Sequence, residues 1–222
     1  FDPAVGVSQP VAFNIDPELI KENYKRSAGL YFDGDTATLY IAASGKFYRT
    51  VIDLTKKYLV APLRLFGNED PIPGKTASYV LGLVSPLKLG PQDYRIYYTA
   101  YDPQAPGPNN SIYMAKSDDG IVWHSHKKVI DYKEHMPAEW DAISGKSMTY
   151  MTLANVFVHE GKFHAFLVDN TWDNRDVFLH CVSTDGENWD RATFVSTENV
   201  PKIQSASICL IGAGSAKYYA PK

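Results

Sequence analysis

The sequence S-D-D-G-I-V-W at residues 117–123 returns as S-T-D-G-E-N-W at residues 183–189, so that both copies read S-x-D-G-x-x-W. Each copy follows a stretch in which apolar and polar residues alternate, as they do in a strand. Asp-Gly favours a tight turn, because Gly takes positive φ freely and Asp can hydrogen-bond its own backbone. The tryptophan after each turn is predicted to anchor one repeat against its neighbour. A repeated turn of this kind predicts an array of small sheets, such as a propeller.

Strand-like stretches around the two turns extend the repeat. Four occur in each unit, at residues 78–84, 94–100, 111–117 and 123–130 and again at residues 153–158, 163–169, 177–183 and 189–195. Four consecutive strands with short polar connections form an antiparallel meander, which is the shape of a propeller blade. The sequence therefore predicts two full blades.

Two partial copies flank the full units. Residues 28–54 hold a version without the tryptophan, and residues 207–220 hold two further strands. We expect a single domain over residues 1–222, with units at about 24–60, 77–131, 150–197 and 207–222 plus 1–15. Two alternatives remain open: the chain is part of a longer propeller, or residues 4–15 supply a strand, with a bulge near Gln9-Pro10, that closes the ring.

Composition agrees with a β-rich protein, since the 222 residues include 15 Tyr, 10 Phe and 4 Trp. A net charge of -3 without runs of like charge gives no reason to expect nucleic acid or an anionic membrane as a partner. No apolar stretch is long enough for a membrane span. Cys181 and Cys209 are predicted to be buried thiols rather than a disulfide. The compartment is left open, with an extracellular or periplasmic location the favoured expectation.

Meanders whose third strand runs into S-x-D-G-x-x-W resemble the five-bladed propellers of glycoside hydrolases, the broad group of arabinanases, β-xylosidases and invertase-like enzymes. The residues that carry the resemblance are Tyr97-Tyr98 and residues 112–116, 117–123 and 177–189. The resemblance implies an all-β fold, a β-propeller of four-stranded antiparallel blades of the five-bladed type, either incomplete or closed by the N-terminal strand. A sialidase-type propeller, whose box has one more residue between Asp and Gly, and a two-layer sandwich are the alternatives.

The resemblance also implies carboxylates around the central funnel that act as base or nucleophile and as general acid. The positions just before and at the start of the inner strands hold no acidic residue, so the candidates lie elsewhere. Glu139 and Asp141 flank Trp140, an aromatic residue that can stack on a sugar face, although this segment also fits a surface loop packed under the next blade. Asp16 is the third catalytic candidate, although the N-cap of a short helix over residues 16–23 is the favoured interpretation of this residue.

Cationic residues precede the inner strands of three units, and Arg26, Lys75 and Lys146 are the substrate-binding candidates among them. A cationic ring at the funnel could bind an anionic or uronic-acid glycan through charge-assisted hydrogen bonds, whereas solubility alone also selects lysine at such sites. Trp172 is a further binding candidate in the polar loop at residues 169–176. Its carboxylates could hold calcium, against the simpler interpretation of a solvated loop. No other cofactor is expected.

The function predicted from these residues is a carbohydrate-active protein that cleaves glycosidic bonds of oligo- or polysaccharides with paired carboxylates. The rival prediction is a non-catalytic propeller that binds glycan or protein, because a fold can outlast its catalytic residues. A zinc site is not expected, since H-E-x-x-H and Cys-x-x-Cys are absent from the sequence. His124 and His126 alternate on one predicted strand, where they could bind metal or be exposed.

Overall fold

A computed structural model describes residues 27–43, 46–56, 58–59, 63–67, 80–101, 110–132, 134–137, 150–170, 176–195, 207–210 and 216–219. Across these residues the secondary structure is entirely β, without a helix, and the sheets are antiparallel meanders. The predicted all-β propeller fold is therefore confirmed. The predicted helix at 16–23 and the predicted closing strand at 4–15 lie outside the described residues.

The first blade is built from five strands. In order along the chain these are β1 (Ser27–Asp33), β2 (Thr36–Ala43), β3 (Lys46–Asp53), β4 (Tyr58–Leu59) and β5 (Leu63–Gly67). Both β4 and β5 pair with β3, at opposite ends of it, so the fourth strand of this blade consists of two short pieces. This blade lacks the tryptophan of the repeated sequence.

The second and third blades are the two full units predicted from the sequence. The second blade consists of β6 (Val80–Gly90), β7 (Asp93–Tyr101), β8 (Asn110–Ser117) and β9 (His124–Ile130). The third consists of β10 (Tyr150–His159), β11 (Lys162–Asn170), β12 (Asp176–Ser183) and β13 (Thr193–Phe194). Each sheet has the strand order of the chain, as a meander requires.

A further pair of strands, β14 (Ser207–Leu210) and β15 (Ala216–Tyr219), forms a two-stranded sheet. The innermost strands β1, β6 and β10 of the first three blades lie side by side, and β14 lies next to β10. The first strands of successive blades are thus neighbours, as the inner strands of a propeller are.

The repeated turns have the same geometry in both full blades. The hydroxyl oxygen of Ser117 accepts hydrogen bonds from the amides of Asp119 and Gly120, and Asp119 Oδ1 accepts from the amides of Ile121 and Val122. Gly120 has a φ of 72°, which glycine adopts without strain. The turn is thus a six-residue loop closed by side chains rather than the tight hairpin that Asp-Gly suggests.

The second copy repeats these bonds atom for atom. Ser183 accepts from the amides of Asp185 and Gly186, and Asp185 accepts from the two amides that follow Gly186. These backbone donors hold the pKa of the Asp185 carboxyl below its ordinary value. Gly186 has a φ of 75°. The sequence repeat therefore encodes a repeated backbone structure.

Each repeated turn is bound by a tyrosine of the preceding blade. Tyr40 on β2 donates to the carbonyl of Gly120 at 2.9 Å, and Tyr97 on β7 donates to the carbonyl of Gly186 at 3.0 Å. The motif tryptophans lie edge-on to the same tyrosines, with ring centroids 5.8 Å apart for Tyr40 and Trp123 and 6.0 Å for Tyr97 and Trp189. The prediction that each tryptophan anchors its blade to the neighbouring one is confirmed.

Apolar cores lie between the blades rather than within one large interior. One cluster, between the first and second blades, includes Phe47, Phe66, Ile96 and Tyr98. The larger cluster, between the second and third blades, includes Ile112, Met114, Leu153, Leu167, Leu179 and Cys181. Cys181 is a buried free thiol, as predicted, and burial raises its pKa to about 12. The side chain of Cys209 is outside the described part of the chain.

Candidate functional site: an axial cavity

A cavity of about 410 Å³ lies between the inner strands β1, β6 and β10. Its wall comprises Gly29, Leu30, Tyr31, residues 84–88 and residues 154–157. These segments occupy the middle and later parts of the three inner strands, so the cavity lies where the first strands of three neighbouring blades meet. We call it the axial cavity.

Because Gly29 has no side chain, β1 can lie directly against β6 at the wall of the axial cavity. A Cβ atom at this position would lie 2.4 Å from Pro86 Cδ and 2.4 Å from the carbonyl oxygen of Val84. Real Cβ atoms do not come so close to backbone, so any larger residue would push β1 away from β6. Further along the same strands, Asp33 reaches Lys88. The order of these contacts means that β1 and β6 run in the same direction.

Hydrogen bonds of the Ser85 hydroxyl connect β6 to β10 at the wall of the axial cavity. The Ser85 hydroxyl oxygen accepts from the amide of Val156 at 2.9 Å, and its single hydrogen can go to Asn155 Oδ1 at 2.9 Å or to the Val156 carbonyl at 3.1 Å. A β-bulge between Leu153 and Asn155 shifts the register of β10 against β11 at this point. The bulge re-aims the strand beside Ser85, which is a common use of bulges near binding sites.

The rim of the axial cavity carries an ion pair between two blades. Lys88 lies on the cavity wall, and its ammonium group contacts Asp33 Oδ2 at the end of β1. The hydrogen bond that Lys88 donates to Asp33 is the main cause of the raised pKa of Lys88, so this side chain stays charged. The ammonium also lies 5.9 Å from the centre of the Tyr94 ring. Both partners are partly exposed, so the pair contributes little to stability.

The axial cavity has the volume of a small-molecule site. Such sites typically enclose a few hundred Å³ and combine apolar walls with a small number of placed polar groups. Here Leu30, Val84, Leu87 and Phe157 supply apolar surface, while the Ser85–Asn155 pair and Lys88 supply polar groups. The arrangement can hold a small ligand that offers both hydroxyl groups and apolar faces.

The residues predicted to form the site, however, all lie outside the described residues. They are Asp16, Glu139 and Asp141 as catalytic residues and Arg26, Lys75, Trp140, Lys146 and Trp172 as substrate-binding residues. The centre of the proposed calcium loop, residues 171–175, also lies outside. These assignments stay predictions. No helix in the described part of the chain is long and apolar enough to cross a membrane.

The two alternating histidines of β9 have different surroundings. His126 Nδ1 is 2.9 Å from the Tyr98 hydroxyl, and its ring packs edge-on against Phe66 at 4.9 Å between centroids. His124 is exposed beside Ser125, whose positive φ of 53° interrupts the regular alternation of the strand. Burial lowers the pKa of His126. Across the ranges that can be described, no group of three or more metal-ligating side chains occurs.

Sequence reasoning missed the polar residues of the axial cavity. Functional side chains were expected at the starts of the inner strands, whereas Ser85, Lys88 and Asn155 lie further along them. The available signals were a Ser-Pro pair inside a strand and an Asn in an otherwise apolar one, both of which disturb regular pairing. Asp33 reads as a turn residue before Gly34, and only the structure connects it to Lys88.

Comparison with family models and with curated proteins finds no match for this chain. Solved structures do match. An α-L-arabinofuranosidase (CtGH43) from Clostridium thermocellum has a TM-score of 0.55 and 11% identity, over 85% of this chain and 57% of that one. A xylan β-1,4-xylosidase from Bacillus halodurans has a TM-score of 0.55 and 10% identity, over 90% of this chain and 40% of that one.

The fold is that of the GH43 propellers. An N-acetylgalactosamine deacetylase from F. plautii, solved with blood group B trisaccharide, matches as well, with a TM-score of 0.53 and 11% identity over 89% of this chain and 63% of that one. This chain spans less than two thirds of the length of each of these proteins. Identities this low establish the fold and leave the chemistry to be argued from the site.

Proposed function

We propose that this chain is a carbohydrate-active propeller of the glycoside hydrolase type, which takes oligo- or polysaccharide at the axis and cleaves it with paired carboxylates. The observation that carries the proposal is the axial cavity, because three inner strands bring apolar walls and placed polar groups together at the axis of the fold. The similar structures are described as two glycosidases and a deacetylase of a sugar, so saccharides are what their described activities share.

The catalytic roles in this proposal belong to Glu139 and Asp141, with Asp16 as a third candidate. Glycosidic cleavage requires one carboxyl group as general acid and a second as nucleophile or base. Trp140, between the two carboxylates, supplies a face on which a sugar ring can stack, and Trp172 offers another. Arg26, Lys75 and Lys146 are proposed to bind hydroxyl or acidic groups of a longer substrate. A calcium ion in the loop at residues 169–176 is a proposal of the same standing.

Hydrolysis of aryl-glycosides and of plant and algal polysaccharides is the direct test. We expect Glu139→Gln and Asp141→Asn each to lower kcat by about a thousandfold, since general acid–base groups contribute on this scale. Asp16→Asn separates a catalytic role from a helix cap, because loss of a cap lowers the melting temperature with kcat unchanged. Asp118→Asn is the matched control, since Asp118 is an exposed carboxylate in the first repeated turn. Full activity of both Glu139→Gln and Asp141→Asn would remove these residues from the proposal.

A glycan array distinguishes catalysis from binding alone. Saccharide binding without turnover on any substrate would favour the non-catalytic propeller. Absence of both binding and turnover would contradict a carbohydrate function and leave a protein partner as the alternative.

A further inference from the structure

The charge of the axial cavity depends on one interaction. Among the described residues that form the wall, Lys88 is the only charged side chain. Its partner Asp33 does not belong to the wall and lies at the end of β1. Formal charges of the pair cancel, so the cavity offers a ligand no net charge.

The positions of the two side chains explain how this neutrality is maintained. The Lys88 side chain is 28% exposed and the Asp33 side chain 57% exposed, so the lysine is the more enclosed partner. The carboxylate of Asp33 contacts the ammonium group directly. A ligand in the cavity therefore meets an ammonium group whose charge is already compensated, and which can still donate a hydrogen bond to a hydroxyl oxygen.

We propose that Asp33 is a specificity-determining residue, which makes the axial cavity select uncharged saccharides over uronates. The inference rests on the proposed function, namely that the cavity holds a saccharide. A uronate carboxylate would attract Lys88 but would also meet the like charge of Asp33. A neutral sugar is not repelled by the charge of either residue. Without Asp33, Lys88 becomes a free cation on the wall and favours the uronate.

This selection differs from the predicted cationic ring, which would favour anionic glycans. Arg26, Lys75 and Lys146 precede the inner strands in sequence, whereas Lys88 and Asp33 lie near the ends of β6 and β1. The axial cavity and the predicted ring thus involve different parts of the same strands. Their contributions can be separated by variants at Asp33, which leave the ring unchanged.

The test compares methyl β-D-glucopyranoside with methyl β-D-glucuronide, which differ only in the carboxylate, by NMR titration of the complete chain. Wild type should bind the neutral sugar more tightly. Asp33→Asn should shift the ratio of dissociation constants toward the glucuronide by about fivefold, the scale expected for a partly exposed charge. The shift should shrink at about 0.5 M NaCl, because salt screens exposed charges.

Two control variants locate the effect. Asp35→Asn removes the same charge from the same exposed turn, two residues away, and should leave the ratio unchanged. Asp33→Asn combined with Lys88→Gln removes both charges and should restore the preference for the neutral sugar. All three changes involve exposed or partly exposed side chains, so the fold should tolerate them.

The possible outcomes separate this inference from the proposed function. Wild-type preference for the glucuronide, or a ratio that Asp33→Asn leaves unchanged, would overturn the role of Asp33 while saccharide binding stands. An equal shift with Asp35→Asn would mean a general charge effect and would overturn it too. Absence of binding of either sugar by every variant would contradict the proposed function and the inference together.

Discussion

Two junctions between blades, the first with the second and the second with the third, each contain a tyrosine in the same role but in different surroundings. In both, a tyrosine hydroxyl binds the carbonyl of the motif glycine and a motif tryptophan lies edge-on to the tyrosine ring. In the second junction Trp189 Nε1 also donates to the Gly186 carbonyl, at 3.2 Å. In the first, Trp123 Nε1 is buried without a partner among the described residues. One motif thus permits two levels of hydrogen bonding.

The two junctions also differ in the charged side chains around the motif turn. At the second junction Arg95 of the second blade donates to the Asp185 carbonyl of the third, and Glu187 forms ion pairs with Lys116 and Lys127. The corresponding motif positions of the first junction are Ile121 and Val122, both exposed. Beside the turn of the first junction, Phe47, Phe66 and Tyr98 pack as an aromatic group. The ion pair of this junction, between Asp33 and Lys88, connects the inner strands and does not involve the motif turn. The fixed residues of the motif thus determine the turn, while its variable positions determine which hydrogen bonds and ion pairs form between the blades.

The largest expected loss of stability comes from adding a Cβ atom at the motif glycines, where neighbouring side chains leave no room for it. A Cβ atom at Gly186 would lie 2.4 Å from the Tyr97 hydroxyl and 2.8 Å from Arg95 Nη1, whereas at Gly120 only the Tyr40 hydroxyl comes within 3.0 Å, at 2.8 Å. We expect Gly186→Ala to lower the free energy of unfolding by about 3 kcal/mol and Gly120→Ala by about 2 kcal/mol, measured by urea denaturation.

Gly161→Ala is the control for backbone strain. Gly161 has a φ of 74°, and a Cβ atom there would meet nothing within 4 Å. Its substitution should therefore cost only the conformational part, about 1 kcal/mol. Equal costs at all three glycines would mean that crowding by the tyrosines contributes nothing.

Removal of a tyrosine hydroxyl should cost more stability at the first junction than at the second, the reverse of the order expected for the glycine substitutions. Tyr40→Phe deprives the buried Gly120 carbonyl of its described donor, at a cost of about 2 kcal/mol. Tyr97→Phe leaves the Gly186 carbonyl with the Trp189 donor, so about 1 kcal/mol is expected. Urea denaturation at one pH measures both. A larger loss for Tyr97→Phe would contradict the proposed difference in hydrogen bonding.

The smallest expected effects are changes in the free energy of unfolding with pH, which occur in different pH ranges for the two junctions. Burial lowers the pKa of His126 in the folded state below 6.5, so the unfolded chain is protonated there more readily. The free energy of unfolding should fall as the pH drops below 6.5, and His126→Gln should reduce that fall. His124→Gln, at the exposed neighbour, is the control. The partly buried His164 and His180 of the third blade, whose pKa values burial also lowers, contribute equally to both variants and cancel in the difference.

Acid acts on the second junction in a lower pH range. Hydrogen bonds from Lys116 and Lys127 hold the pKa of Glu187 below 4.5, so the stability it contributes is complete above pH 4.5 and is lost as the pH falls further. Glu187→Gln should cost about 0.5 kcal/mol at pH 7 and nothing at pH 2. If this variant instead flattened the range between pH 5 and 6.5, the assignment of that range to His126 would be wrong.

The sequence by itself determined the local structure of this protein. Alternating residues predicted the strands of the two full blades, except that the strand expected at residues 189–195 is limited to β13, Thr193–Phe194. S-x-D-G-x-x-W predicted turns, whose hydrogen bonds all join residues within three positions of each other. Such bonds depend on neighbouring residues alone, so they can be read from a single chain. The contact of each motif tryptophan with the preceding blade was also foreseeable, because an aromatic side chain of that size needs a neighbouring surface.

Only the tertiary structure decided which distant groups meet. Tyr40 and Gly120 are 80 residues apart, Tyr97 and Gly186 are 89 apart, and Lys88 and Asp33 are 55 apart. No local pattern pairs them, because their contact follows from the rotation of one blade against the next. The axial cavity likewise exists because Gly29 lets β1 approach β6 and a bulge turns β10 toward Ser85. The candidate site is therefore a product of blade packing, which strand patterns alone do not specify.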